Sequence, residues 1–86
     1  MSIENELRRI LTIISDMSKN DIKTNIKDTK IIAEANRPSA EIENHLNELE
    51  SLGLIEQDKN SPANVEYNIY KITRKGIKEV YNKEFR

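Results

Sequence analysis

The stretch that decides the fold is residues 29–56, TKIIAEANRPSAEIENHLNELESLGLIE. A short apolar face leads into Asn36-Arg37-Pro38, where proline disfavours helical geometry at the residue before it and suits the first turn of a new helix. Apolar residues then recur at spacings of four, three and three, which is typical of the buried face of a helix. They are Ile42, Leu46, Leu49 and Leu52. Because Gly53 stands where a left-handed residue usually ends a helix, the stretch predicts two helices joined by a tight turn, at about Lys30–Ala35 and Ser39–Leu52.

The residues before this stretch predict a first helix and a connector. Apolar residues recur at spacings of three and four over Ile3–Met17, which places them on one helical face. The pattern is lost over residues 18–28, where we expect a connector with one short strand near Lys23–Ile26. Asp28 or Thr29 is the expected N-cap of the second helix.

The residues after this stretch predict a hairpin and a last helix. Leu54–Gln57 and Val65–Ile72 are rich in β-forming residues, and the turn formers between them favour a hairpin. A change of alternation within the second strand indicates a bulge or a strand covered on both faces. Thr73 is the expected cap of a helix over Arg74–Lys83. Both glycines, Gly53 and Gly76, are interpreted as structural.

The predicted core joins the third helix to the sheet. We expect Leu46, Leu49 and Leu54 to be almost fully buried. The three tyrosines are interpreted as bulk of the sheet–helix core rather than as platforms for stacked bases, because the chain has one Phe and no Trp. They are Tyr67, Tyr70 and Tyr81.

Composition excludes several classes of protein. The 86 residues include no cysteine, so disulfides and thiolate metal sites are excluded. The apolar runs are too short for a membrane span, and the N-terminus lacks the pattern of a signal peptide. We therefore expect one cytoplasmic domain over residues 1–86, with the helix-turn-helix at about 29–52, the wing at about 54–72 and the last helix at about 73–85.

Catalytic and metal sites find little support in the sequence. His45 is the only histidine, and it precedes a core leucine, so packing or a hydrogen bond within the helix is its expected role. Carboxylates two turns apart pair Glu41 with Glu48 and Glu43 with Glu50, but no second element supplies a further acid or histidine in the sequence pattern. We therefore interpret them as a solvated face, and expect no enzyme activity, no cofactor and no metal.

Charge is unevenly distributed along a chain whose formal net charge is −1. Residues 33–58 contain seven acids and one base, Arg37, whereas residues 71–86 contain six bases and two acids. This uneven distribution can attract a partner of opposite charge to one face of the protein. Solvated helix faces explain the distribution equally well.

Three segments together resemble a known family. They are TKIIAEAN (29–36), LNELESLGLIE (46–56) and YKITRKG (70–76). In this order and spacing they are similar to the small archaeal winged-helix transcriptional regulators, over about two thirds of the chain. The resemblance implies a mainly α fold with a small β-hairpin (α+β), the winged helix-turn-helix, and a module that binds double-stranded DNA with its third helix in the major groove.

The resemblance also implies which residues face DNA. Ser39, Ala40, Glu41, Glu43 and Asn44 fall on the N-terminal half of the third helix. Arg37 precedes that helix, Lys30 lies on the second helix, and Lys59 and Asn60 fall in the wing. Asparagine can read adenine, serine can bond bases or phosphates, and lysine and arginine can hold phosphates.

The third helix departs from the family in its charge. Family members commonly carry lysine or arginine along this helix, whereas here it has four glutamates and no lysine or arginine. Phosphate neutralisation then falls to flanking bases. They are Lys23, Lys27, Lys30, Arg37, Lys59, Arg74, Lys75 and Lys78. The alternative is a protein-interaction module that uses the acidic helix, and in either case a homodimer through the first or last helix is expected.

Overall fold

The computed structural model describes residues 5–58 and 67–82, except for the side chain of Asn82. The helices are α1 (Asn5–Ser18), α2 (Asp28–Ala35), α3 (Ser39–Ser51) and α4 (Arg74–Asn82). The strands are β1 (Ile26–Lys27), β2 (Ile55–Asp58) and β3 (Ile69–Ile72). This is the predicted winged helix-turn-helix: α2 and α3 form the helix-turn-helix, and β2 with β3 forms the hairpin that follows it.

The sheet has three antiparallel strands in the order β1-β3-β2. β2 and β3 pair continuously from Ile55 opposite Ile72 to Asp58 opposite Ile69, so the described part of the hairpin has no bulge. The connector contains a strand, but it is shorter and later than the predicted Lys23–Ile26 and covers only Ile26–Lys27. β1 therefore joins the connector to the first half of β3, with Ile26 opposite Tyr70 and Lys27 opposite Ile69.

The core is built around α1, which contacts all three other helices. Its inward face is at most 2% exposed. That face consists of Leu7, Ile10, Leu11 and Ile14. Leu46, Leu49 and Leu54 are likewise at most 2% exposed, which confirms the predicted core. Burying each such side chain contributes about 1.5–3 kcal/mol to folding.

The turn between α2 and α3 is set by Asn36 and Pro38. Asn36 adopts the left-handed conformation at φ 56°, which asparagine tolerates better than most residues, and its N–H donates to the Ile32 carbonyl. The Pro38 carbonyl accepts the Ile42 N–H at 3.1 Å, so α3 begins directly after the proline.

The C-terminal junction of α3 comprises Leu49, Gly53, Leu54, Thr73 and Gly76. Gly53 has φ 78°, as predicted for the residue that ends the helix, and the Leu54 N–H donates to the Leu49 carbonyl. The Thr73 hydroxyl donates to the Gly53 carbonyl at 2.7 Å and accepts the Gly76 N–H at 3.0 Å, which confirms Thr73 as a cap. A Cβ at Gly76 would collide with the Leu54 carbonyl oxygen. The start of α4 is thus locked onto the end of α3.

Two predicted core residues are exposed instead. Leu52 is 40% exposed because α3 ends at Ser51, and the turn at Gly53 gives the buried position to Leu54. Tyr81 is 55% exposed, and its hydroxyl accepts a hydrogen bond from Asn20 Nδ2 at 2.8 Å. The tyrosine prediction is right only for Tyr70, which is buried, and in part for the half-buried Tyr67.

The predicted cap of α2 is wrong. The cap position is Lys27, which makes no side-chain cap, because β1 runs directly into the helix. The Asp28 N–H donates to the Asn68 carbonyl at 2.9 Å rather than to a capping side chain. Asp28 itself is 6% exposed, and within the described chain its Oδ1 has no hydrogen-bond partner.

In the described ranges, no helix combines the length and apolarity needed to cross a bilayer.

Candidate nucleic-acid interface

The outward side of α3 presents four side chains from its first nine residues. We call Ala40, Glu43, Asn44 and Asn47 the outer face, since residues three and four apart share one side of a helix. All four are exposed, whereas Ile42 and Leu46 on the opposite side are buried. Asn47 is not among the residues predicted to face DNA, although its spacing of three from Asn44 places it on the same side of the helix.

Ser39 is exposed at the first residue of α3. The first N–H groups of a helix have no acceptor within the helix, and the helix dipole makes this end partly positive. Such an end can bind a phosphate oxygen even when the helix carries acidic side chains further along.

Lys30 lies on α2, where its side chain is exposed. It borders two shallow recesses between α1, the connector and α2, both of which also include Met17. Lys27, next to these recesses, places its ammonium 4.7 Å from the ring centre of Tyr67. Two exposed lysines therefore stand on the β1–α2 side of the molecule.

Arg37 is not a free cation. Its guanidinium bridges two helices, with Nη2 3.3 Å from Glu6 Oε2 on α1 and Nη1 3.5 Å from Glu41 Oε2 on α3. Its side chain is 40% exposed. Both neighbours are acids, so a phosphate has to compete with two carboxylates for this arginine.

Lys59 and Asn60 lie outside the described residues. The described part of the hairpin ends at Asp58, which is paired with Ile69. The place of Lys59 and Asn60 in a wing stays a prediction.

Acidic residues of α3 affect the pKa of Tyr70 on β3. Burial raises the pKa of the Tyr70 hydroxyl, and the negative charges of Glu50, Asp28 and Glu43 raise it further. Glu43, which belongs to the outer face, is therefore one of the acids whose charge acts on this buried hydroxyl.

Lys75 lies at the wrong end of α3 to offset that charge. A Cβ at Gly53 would be 3.8 Å from Lys75 Cδ and 3.9 Å from Lys75 Nζ, so this base sits beside the C-terminal end of the helix. It complements the negative end of the helix dipole there. Measured along the helix axis from Gly53 at 1.5 Å per residue, Glu43 lies about 15 Å away and the outer face extends from about 9 Å at Asn47 to about 20 Å at Ala40.

The N-terminal cluster of α3 comprises Glu6, Arg37, Glu41 and His45. His45 Nε2 is 3.9 Å from Glu41 Oε2, one turn away on the same helix, and its side chain is 18% exposed. One ligand atom from each of Glu6, Glu41 and His45 lies within 4.8 Å of the others. The sequence interpretation that no second element brings an acid to these carboxylates is therefore wrong, since α1 supplies Glu6.

The signal for this cluster was only partly present in the sequence. Glu41 and His45 are four residues apart, which places them on one side of a helix. Glu6 is 35 residues from Glu41 along the chain. Its proximity depends on how α1 crosses α3, which periodicity does not reveal.

The surfaces expected to form a dimer are partly used within the chain. The inward face of α1 packs against α2, α3 and α4, with only Ile13 and Met17 half-buried at its margin. On α4, Val80 is buried and Tyr81 is exposed. The homodimer stays a prediction, and Tyr81 is the large apolar side chain most available for it among the described residues.

Comparison with solved structures identifies the fold. One similar structure is a zinc-responsive MarR family member, Lactococcus lactis ZitR, with a TM-score of 0.73 and 16% identity over 99% of this chain and 54% of that one. A MepR mutant from a multidrug-resistant S. aureus clinical isolate gives 0.72 and 21% over 96% and 60%. The S. aureus MepR–DNA complex gives 0.68 and 25% over 96% and 57%.

These likenesses confirm the winged-helix fold. The chain spans only 54–60% of the length of these regulators. No protein-family model matches the sequence, and a comparison with curated proteins finds no match. Assignment to an archaeal type stays a prediction.

Proposed function

We propose that this chain is a winged-helix regulator that binds double-stranded DNA through the outer face of α3. The observation that carries the proposal is the exposure of two amide side chains, Asn44 and Asn47, on the helix that follows the turn of a helix-turn-helix. Amide side chains at this place can pair with adenine edges in the major groove. The MepR structure, in which a protein of this fold is bound to DNA, supports the same use.

Each site residue has a role in this proposal. Asn44 reads base edges, Glu43 can accept from the cytosine amino group, and Ala40 allows close approach. Ser39 and Lys30 bind phosphates on either side of the groove. Lys59 and Asn60 extend phosphate or minor-groove contacts from the wing, and Arg37 adds a further phosphate contact once it leaves its carboxylates.

A homodimer fits this function because two copies of α3 would read two half-sites about one helical turn of DNA apart. We propose α4 with Tyr81, or α1, as the place of association. The regulator would be of the archaeal type and cytoplasmic, and would act by binding rather than by catalysis.

A second candidate is favoured by the charge of α3. Glu43 and Glu48 are exposed, and Arg37, the arginine directly before α3, is already paired with Glu6 and Glu41. In that case the acidic side of α3 docks a basic protein partner, and DNA is not a ligand.

A titration separates the two candidates. Fluorescence anisotropy of a labelled random-sequence duplex, at roughly 20–50 mM salt, magnifies any electrostatic affinity. We expect binding that weakens as salt rises. Absence of binding by the folded protein at this salt would exclude DNA and leave the acidic docking surface, which Glu43→Lys combined with Glu48→Lys should abolish.

Two variants then separate base reading from phosphate binding. Asn44→Ala should cost about 1–3 kcal/mol on a selected site and little on random duplex. Lys59→Ala should weaken binding to all duplexes and reduce the slope of log K against log salt by about one unit. Asn5→Ala is the matched control, since this asparagine is exposed on α1 rather than on α3.

A further inference from the structure

Three groups that commonly bind metals meet where α1 crosses the start of α3. Glu6 comes from α1, and Glu41 and His45 come from one side of α3. Their ligand atoms all lie within 4.8 Å of one another. The side chains are 43%, 37% and 18% exposed respectively, so an ion can reach them from solvent.

The donor set selects a class of ion. Zinc takes histidine nitrogen and carboxylate oxygen as ligands, and its open tetrahedral sites combine three protein ligands with a water. Two carboxylates and one imidazole can supply those three ligands. Imidazole is a ligand for zinc and similar transition metals rather than for magnesium or calcium. Tetrahedral ligand atoms lie about 3.4 Å apart when the bonds are about 2.0–2.1 Å. The ligand atoms here lie within 4.8 Å of one another. Rotation of these partly exposed side chains can bring them to the shorter tetrahedral distance.

Arg37 now holds the oxygen atoms that a metal would need. Its Nη2 lies 3.3 Å from Oε2 of Glu6, and its Nη1 lies 3.5 Å from Oε2 of Glu41. Exposed ion pairs of this kind are weak. A divalent cation can therefore replace the guanidinium as the partner of both carboxylates.

We infer that Glu6, Glu41 and His45 form a zinc site, and that zinc binding releases Arg37 at the start of α3. The two carboxylates and Arg37 carry a net charge of −1, which zinc brings to +1. The second half of the inference rests on the proposed function: a released Arg37, in the turn directly before α3, is placed to contact a DNA phosphate. Zinc would thus strengthen DNA binding by changing charge at the helix that reads the DNA.

The metal site is tested without DNA. Zinc is titrated into the full chain by isothermal calorimetry and by competition with a chromophoric chelator, with magnesium in excess. We expect one zinc ion per chain. Glu6→Gln and His45→Gln should each lower zinc affinity by about tenfold or more. Even the loss of a group that only orients a metal ligand has an effect of that size. Glu48→Gln, an exposed glutamate of the same helix outside the cluster, is the matched control and should leave zinc affinity unchanged.

Arg37→Gln provides a second, opposite expectation. Because this change removes the competing cation, zinc affinity should rise. Circular dichroism shows that each variant is folded before it is compared. No zinc binding by the native chain, or an affinity that His45→Gln leaves unaltered, would overturn the metal site.

Release of Arg37 is tested in two ways. By NMR, the Nε–H signal of Arg37 should shift on zinc addition in the native chain and stay in place in His45→Gln. With DNA, zinc should make the slope of log K against log salt steeper by about one unit, corresponding to one more phosphate contact, and should not do so in Arg37→Gln. An unmoved Arg37 signal in zinc-loaded protein would overturn the release. If DNA fails to bind with or without zinc, the proposed function falls, whereas the titration and the NMR signal still decide the zinc site and the release.

Discussion

At its C-terminal end α3 is held by buried side chains and backbone hydrogen bonds, whereas at its N-terminal end it is held by exposed ion pairs. The C-terminal junction combines Leu49, which is 0% exposed, with the hydroxyl of Thr73 and the close approach at Gly76. The N-terminal cluster relies on contacts of 3.3–3.9 Å between side chains that solvent reaches. The C-terminal end therefore fixes the position of α3, whereas the ion pairs at the N-terminal end can be exchanged for other partners at little cost in stability.

The largest effect is expected at Leu49. Leu49→Ala should lower the free energy of unfolding by about 2–5 kcal/mol, because it leaves a cavity where α3 meets the sheet. Leu52→Ala is the matched control, since Leu52 lies three residues away and is 40% exposed. Urea denaturation measures both. Equal losses for the two leucines would contradict the difference in burial.

Gly76→Ala tests the close approach of α4 to the Leu54 carbonyl. Alanine in an exposed helix position gains up to about 1 kcal/mol over glycine, but here the added Cβ collides with backbone. We expect a net loss of about 1–3 kcal/mol, as overpacked sites show. Lys78→Ala, at an exposed position of the same helix, should change stability by less than about 0.5 kcal/mol. A more stable Gly76→Ala variant would show that the junction yields easily.

Thr73→Ala removes the cap of α4 and its bond to the Gly53 carbonyl. We expect a loss of about 0.5–2 kcal/mol, as for other N-cap residues. Thr73→Ser keeps the hydroxyl and should recover most of that loss in thermal denaturation. If serine is no better than alanine, the threonine methyl rather than the hydroxyl holds the junction.

The smallest effect on stability is expected at the N-terminal cluster. Arg37→Gln removes both ion pairs, yet exposed pairs of this kind contribute only about 0–1 kcal/mol. The midpoint of urea denaturation should therefore move less than in Thr73→Ala. A loss as large as that of Leu49→Ala would mean that Arg37 is part of the structural framework and would remove the contrast between the two ends.

Local features at the C-terminal junction were predictable from the sequence, and through-space features at the N-terminal cluster were not. Gly53 and Thr73 were identified because ends and caps of helices depend on residues within a few positions. Leu52 was assigned wrongly since periodicity does not show at which turn a helix stops. Asp28 is a capping type of residue, but it is the first residue of α2 because β1 ends at Lys27, and the sequence does not show where that strand ends.

The candidate site divides in the same way. The exposure of Asn44 follows from its place opposite Leu46 on a helix, and the sequence suffices for it. The pairing of Arg37 with Glu6 depends on the crossing of two helices that are far apart in the chain, so a residue expected to be a free phosphate ligand is found between two acids. Lys59 and Asn60 stay predictions.

The two-residue strand β1 affects how readily the protein aggregates at high concentration. By pairing with Ile69 and Tyr70, β1 covers one side of β3, while β2 covers the other. The outer strands of the described sheet are then only two and four residues long. Short outer strands give neighbouring molecules few unpaired backbone groups on which to extend a sheet. At high concentration, copies of the chain should therefore resist aggregation through this described part of their sheets.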